Sequence, residues 1–300
     1  MNRYEQFRRA AVDRGLPEDE VDKFADQLRF AVWLGTGSPD DEVVGQSGGL
    51  PRLPVGTEWP GTGNGSPLPF VASVDCALLP RAEGLPLPED GSLLFFLNHD
   101  DDMEAEAPLE EPDHARVVHV PAGTETEEAS PPEGHATRTF FHENIPFLIP
   151  EHRLSAWVRP VLPDWLEEQD AEFASDAVKQ LLDDLKHVEE LLNLVDELWP
   201  DPNRGAALRL GGYCREIGGQ DPPYTQMASA ALSATVDPDL PRAERTRLRR
   251  EEEHRLNTEW LPLAQFHTTS EFYYGCFLIS TDDLAARRFD QMRSFTMFTE

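Results

Sequence analysis

Residues 45–49 read Gly-Gln-Ser-Gly-Gly. That fits G-x-S-x-G, the pattern that presents a nucleophilic serine at a sharp strand-to-helix turn. Acyl transfer by Ser47 would need a strand before it, a helix after it and an oxyanion loop. The chain instead continues Leu50-Pro51-Arg52-Leu53-Pro54, and two prolines so close together prevent an ordinary helix from starting. No glycine-rich oxyanion motif precedes Ser47. The cluster therefore reads as a turn: Gly48 and Gly49 redirect the backbone before a proline-pinned extended segment, and Trp59 packs as an anchor. No catalytic residue is assigned.

Other chemistry-bearing residues are equally incomplete as motifs. His99 precedes Asp100, Asp101 and Asp102, and clustered carboxylates suit hard cations. The glycine that a calcium loop needs at its sixth position is missing, so the stretch reads as a solvated acidic loop. His114, His119, His135, His142 and His152 show no H-x-x-x-H or H-E-x-x-H spacing on a helical pattern. His187 stands between acids in a helical pattern and reads as a surface residue. The glycines of "GTGNG" (61–65) lack the following helix that a phosphate cradle uses, so they form a turn. Tyr213, Tyr224, Phe272, Tyr273, Tyr274 and Phe277 make the second half rich in rings, as strand core or as the wall of a ligand pocket. No metal or cofactor is expected.

Charge bounds the partners. Fifty-six acids against 26 bases give a net charge of −30 over 300 residues. That field repels nucleic acid and anionic membranes and speeds association with a basic protein. The same charge arises wherever a whole proteome is acidic for solubility. Residues 98–113 carry acids and no base, so Asp100, Asp101, Asp102, Glu104, Glu106, Glu110 and Glu111 are the candidate partner-binding residues. Cys76, Cys214 and Cys276 are far apart, without C-x-x-C, which suits a reducing, cytoplasmic setting. The first residues lack the apolar core of a signal peptide, and no apolar run is long enough to span a membrane.

Elements must hold these residues in place. Residues 3–30 predict one or two amphipathic helices, with Tyr4, Phe7, Ala11, Phe24 and Leu28 toward a core. Phe30–Leu34, 68–79, 91–102, 116–120, 138–150 and 155–163 predict strands, and unbroken apolarity at Leu93–Leu97 predicts cover on both faces. Residues 121–135, rich in proline, glutamate and serine, predict a flexible segment. From Asp164, with Glu167 as a capping-box partner, a heptad pattern runs from Ala174 to Trp199. It predicts one helix roughly 40 Å long, lying on the protein's own sheet or forming a homodimer seam through 174–199. A charged helix at 242–255, strands at 259–269 and 271–280, a short helix and a last strand close the chain.

Two stretches echo each other. "GGLPRLPVGTEWP", "LPFVASVD" and "GSLLFFLNHDDD" are followed much later by "GGYCREIGGQDPP", "LPLAQFHT" and "EFYYGCFLISTDDL". Each is a glycine pair, an apolar strand, an aromatic strand and an acidic exit. These motifs, in this order, resemble the YwqG-like family of bacterial proteins of unknown function. The resemblance assigns structural signature roles to Gly48, Gly49, Leu50, Pro51, Pro54, Trp59, Pro60, Gly211 and Gly212. It implies an α+β fold, supplies no activity, and makes an immunity or accessory role a reasonable expectation.

The expected architecture is therefore α+β: mixed, mostly antiparallel sheets from two similar halves, with an N-terminal helical segment and one long acidic helix. A single domain over 1–300 comprises N-terminal helices (1–30), a first half (31–160), the long helix (164–200) and a second half (205–300). The expected function is non-enzymatic: an acidic protein that neutralises a basic partner. The alternative is an enzyme or small-ligand binder whose pocket lies between the halves and uses acids such as Asp75 or Asp282.

Overall fold

The chain opens with a helix because Asn2 can cap it. The Asn2 side chain accepts from the Glu5 backbone N–H at 2.9 Å and Glu5 reaches back to the Asn2 N–H, which satisfies two otherwise orphaned donors. The computed structural model describes residues 2–105, 108–140, 145–169, 175–202, 205–214, 221–235, 237, 239–267 and 273–298. Its first half contains α1 (Arg3–Asp13), α2 (Glu18–Ala25), β1 (Arg29–Gly35), β2 (Gly45–Ser47), β3 (Arg52–Pro54), β4 (Phe70–Asp75), β5 (Ser92–Leu97), α3 (His99–Ala105), β6 (Ala115–Val120) and β7 (Thr126–Glu128). There follow β8 (His152–Val161), α4 (Asp164–Glu167), α5 (Asp176–Asp184), α6 (Val188–Leu198), β9 (Ala206–Gly211) and α7 (Pro223–Thr235). The chain closes with α8 (Arg242–Glu259), β10 (Trp260–His267), β11 (Tyr273–Ser280), α9 (Thr281–Ala285) and β12 (Arg293–Phe298).

Ten strands form one sheet in the order β12-β11-β10-β9-β1-β8-β2-β4-β5-β6, and each neighbouring pair is antiparallel. The sheet curls until it is nearly closed into a barrel. Alternation along each strand sends one set of side chains inward. Val32, Leu34, Ala72, Val74, Leu93, Phe95, Leu208, Leu210 and Phe277 belong to that inner core. Phe95 of β5 meets Phe277 of β11 across it, with ring centroids 5.7 Å apart.

The outward set is covered by three layers. Leu94 and Phe96 of β5 face Leu53, Leu68 and Trp59, which accounts for the unbroken apolar run at 93–97. The Trp59 indole N–H donates to the Leu68 carbonyl at 2.8 Å. Helices α7 and α8 place Tyr224, Met227 and Leu256 over Cys276, Leu278, Phe295 and Met297. Helices α1, α2 and α6 form a satellite core in which Phe7 and Phe24 stack at 5.4 Å.

The sheet's two edges are joined by side chains. Asp102 in α3 accepts hydrogen bonds from Ser294 and from Thr296, the latter at 2.8 Å, on β12. Arg293 Nε donates to the Leu109 carbonyl at 3.1 Å, and His119 of β6 packs on Phe289 at 5.5 Å.

Several expectations are corrected. Among the described residues the helix read across 164–200 is three helices: Gln169, after α4, has φ 53°, and between α5 and α6 Leu185 leaves the helical region at ψ 87° and is buried in the satellite core. Beside that break, Glu20 accepts from the His187 backbone N–H at 3.0 Å and lies 3.1 Å from its Nδ1, so His187 is not a plain surface residue. Leu191, Leu194 and Val195 are buried with residues of α1 and α2; Ala174 lies outside the described residues. The N-cap of α4 is Pro163 rather than Asp164. The acidic stretch begins as helix α3, not as a loop. Within 121–135 the strand β7 pairs with β3, and the described residues of 138–150 hold only an isolated bridge between Thr139 and Pro146. Helix α7 had no counterpart in the sequence reading.

Ser47 ends β2, and no helix follows. Gly48 has φ +65°, and a Cβ there would stand 2.5 Å from both Ile149 Cγ1 and the Pro150 carbonyl oxygen. Gly56 has φ +77° with nothing within 4 Å. In denaturant unfolding, Gly56→Ala should cost about 1 kcal/mol from left-handed backbone alone. Gly48→Ala should cost at least about 3 kcal/mol, because overlap adds to strain.

The Asp102 contacts give a second expectation. Asp102→Ala strands two hydroxyls and should cost about 2 kcal/mol. Burial raises the Asp102 carboxyl above its ordinary range, with the two hydroxyls opposing. The native state therefore holds this proton more tightly than the unfolded chain. The stability of the wild type relative to Asp102→Asn should fall as pH rises from the unfolded carboxyl range through the raised native one, and then level off. Paired unfolding curves across pH measure the difference.

Candidate functional site

Near one end of the barrel the inward-pointing residues stop filling the interior. A cavity of about 340 Å³ opens there, walled by Phe70 and Ala72 of β4, Leu97 of β5, Leu154 of β8, Leu208 of β9 and Phe266 of β10. The mouth of a β-barrel is a common place for a small-ligand site. Segment 145–149 crosses the opening, contributing Ile145, Pro146, Phe147 and Ile149. It is held by ring packing: Phe147 lies 4.7 Å from Phe140 and 5.4 Å from His135. Gly48 lets the backbone pass beneath Ile149, which explains the glycine pair after Ser47 in terms of this cover.

Three polar residues of the inward side line the cavity, Ser47, His99 and His152; His267 borders it, but its ring packs outward on Tyr274 at 5.0 Å. Ser47 and His152 are register partners on β2 and β8, so they share a face. Strand pairing, rather than an elbow, thus brings the serine beside a histidine. His99 is 2% exposed and packs edge-on against Phe140 at 5.3 Å and Phe266 at 5.8 Å. Burial among these rings lowers its pKa from 6.5 to about 3, because a charged imidazole would lose its hydration. At neutral pH it is an uncharged group at the edge of an apolar space.

The sequence-selected acids are distributed differently. Asp102 is engaged by β12, as described above. Asp101 lies 3.7 Å from His114, and Asp100 is half-buried. Glu104, Glu110 and Glu111 are exposed, with Glu111 3.3 Å from Arg116. Glu106 lies outside the described residues, as do His142 and Phe272. Neither Asp75 nor Asp282 lines the cavity: Asp75 accepts from the Ala77 N–H at 2.9 Å, and Asp282 is exposed in the first turn of α9. Among the described residues no cluster of three or more His, Cys, Asp or Glu is placed to hold a metal ion.

Of the signature residues, Trp59 reaches the outer face of β5. Gly211 and Gly212 both have positive φ, and a Cβ on Gly212 would stand 2.8 Å from Val161 Cγ2. Leu50 is half-buried, Pro51 is buried, and Pro54 and Pro60 are half-buried. These residues shape the turns around the barrel rather than the cavity wall. In sequence alone His99 reads as the start of an acidic loop rather than as a site residue. Its position directly after the buried run 93–97 was the available signal.

His99 generates a pH expectation. Its folded pKa is depressed, so the unfolded chain takes up the proton first as pH falls below about 6.5, and stability is lost toward pH 3. His99→Phe keeps the ring packing and removes the titration. Relative to the wild type it should gain about 2 kcal/mol between pH 7 and pH 5, read from denaturant midpoints at the two pH values.

No helix among the described residues is long and apolar enough to cross a membrane. No curated protein matches the chain. The fold that carries this cavity is matched over most of its length: the chain belongs to the family described as Domain of unknown function (DUF1963), whose model covers residues 46–296.

Proposed function

We propose that this protein binds a small, largely apolar ligand in the mouth of its barrel. The observation that carries this is the cavity itself, about 340 Å³ in volume, with phenyl rings for walls and imidazoles at its margin. Apolar walls supply burial, and a few polar groups fix orientation. Neutral His99 suits a ligand without net charge, since it brings no uncompensated ion into the apolar space. The family narrows, on our reading, to its YwqG-like members. Three scattered cysteines favour a cytoplasmic setting.

The cavity also lies between what we read as two halves built alike. In the sheet order β9-β10-β11-β12 runs outward on one side of the central pair β1-β8, and β2-β4-β5-β6 runs outward on the other. A positive-φ glycine pair ends each innermost strand, at Gly48-Gly49 and Gly211-Gly212. The competing reading, an acidic surface that engages a basic protein, loses force because Asp102 is spent on closing the barrel.

The test uses the neutral dye N-phenyl-1-naphthylamine, whose emission rises in apolar surroundings. Wild type should bind it saturably. Ser47→Trp, which fills the cavity from β2, should abolish the signal while the far-ultraviolet circular dichroism is unchanged. A wild type that does not bind, or a Ser47→Trp variant that binds equally well, would defeat this reading.

A further inference from the structure

The outer face of the same strands holds a second recess, about 230 Å³ in volume, between Trp33, Trp157, Arg159, Arg209, Gln265 and Tyr274. Register creates it: Trp33 is paired with Trp157 on one side and Arg209 on the other, and Arg209 with Gln265. Arg209 is 6% exposed. Its Nη2 donates to the Tyr213 carbonyl at 2.5 Å, and its guanidinium carbon lies 5.1 Å from the centre of the Trp33 ring.

Arg159, across the recess, is neutralised by Asp201 at 2.6 Å and Asp196 at 3.6 Å. Arg209 has no such partner: among the described residues no carboxylate lies within 4.0 Å of it. Its Nε and the Trp33 Nε1 are both enclosed without an acceptor. Its Nη1 makes no hydrogen bond among those residues, and Arg209 lines the recess. Neighbouring polar groups do not fill the need. The Tyr274 hydroxyl donates to Gln265 Oε1 at 2.7 Å, and Gln265 Nε2 donates to the Tyr213 carbonyl at 3.0 Å.

A buried cation is costly unless an anion compensates it. Here it persists in a chain of net charge −30, and among the described residues the one carboxylate that lines the recess, Asp201, is bound to Arg159. From this geometry we infer that the recess is an anion site. It takes the carboxylate or phosphate group of a small aromatic metabolite, with the oxygens on the Arg209 guanidinium and the ring against Trp157. A planar guanidinium suits either oxyanion through paired N–H donors. Arg209, Trp33 and Trp157 stand on the opposite face of the sheet from the barrel cavity, although Ala206, Ala207, Leu208, Phe266 and His267 border both spaces, and the inference does not rest on the proposed apolar ligand.

Tryptophan fluorescence reports directly, because Trp33 and Trp157 line the recess. Benzoate, phenyl phosphate, inorganic phosphate and neutral benzamide are titrated separately into the full-length protein. At least one aromatic anion should quench saturably, benzamide should not, and inorganic phosphate distinguishes a bare oxyanion site from one that also needs the ring. Arg209→Met keeps the stem that packs on Trp33 and should weaken binding by about tenfold or more. Trp157→Ala, a half-buried change at the recess wall, provides a second variant if Arg209→Met does not fold, and should weaken the aromatic anions more than inorganic phosphate. Absence of saturable binding by all three anions, equal binding of benzamide, or unchanged affinity in both Arg209→Met and Trp157→Ala would overturn the site.

Discussion

A ten-stranded antiparallel sheet ends in two edges, and an inward apolar face stays dry only if those edges are brought together. Unpaired edges also invite pairing with other chains. Here β12 and β6 do not hydrogen-bond to each other. The gap is bridged by α3, which presents Asp102 to Ser294 and Thr296, and by the 3₁₀ turn that sets Phe289 against His119. A short acidic helix is thus placed where a simple charge count would put a solvated surface. The interior it protects is continuous from the Phe95–Phe277 contact to Phe266 and His99.

The legible parts of this fold are those with a strong local period. The run at 93–97 announces cover on both faces and receives it from inside and outside the barrel. Phe7, Ala11, Phe24 and Leu28 follow a helical stripe, and all four are buried. What local pattern could not convey is where a heptad run breaks. Between 174 and 199 every spacing is compatible with one helix. The break at Leu185 is settled by tertiary contacts: burial of Leu185 itself, and Glu20, far away in sequence, at the His187 N–H. Helix α7 is not marked in the sequence because its alanine- and serine-rich stretch carries little apolar periodicity, and its burial depends on a sheet surface that local pattern does not reveal.

The cavity was illegible for a different reason. Its wall is assembled from strands at opposite ends of the chain, each contributing one or two residues that look like ordinary core. Ser47 illustrates the gap between motif and site. Local sequence argues against an elbow, and no helix follows. Yet register places Ser47 opposite His152 at the cavity, a relation that depends on β2 pairing with a strand a hundred residues later. Motif logic tests one short segment, whereas a barrel mouth is defined by alignment across many.

Strand alternation also explains why two recesses of opposite character share one stretch of sheet. On β9, Leu208 belongs to the inner core, while Arg209 stands over Trp33 on the outer face. On β10, Phe266 faces inward beside His99, and its neighbour Gln265 bonds outward to Tyr274 and Tyr213. A side-chain period of two leaves no choice: a residue added to either strand would exchange the two faces. It would drive the guanidinium into the apolar interior and expose leucine and phenylalanine outside. The burial energy that holds the inner core in register therefore also fixes the position of Arg209, and the cationic recess depends for its geometry on apolar packing across the sheet.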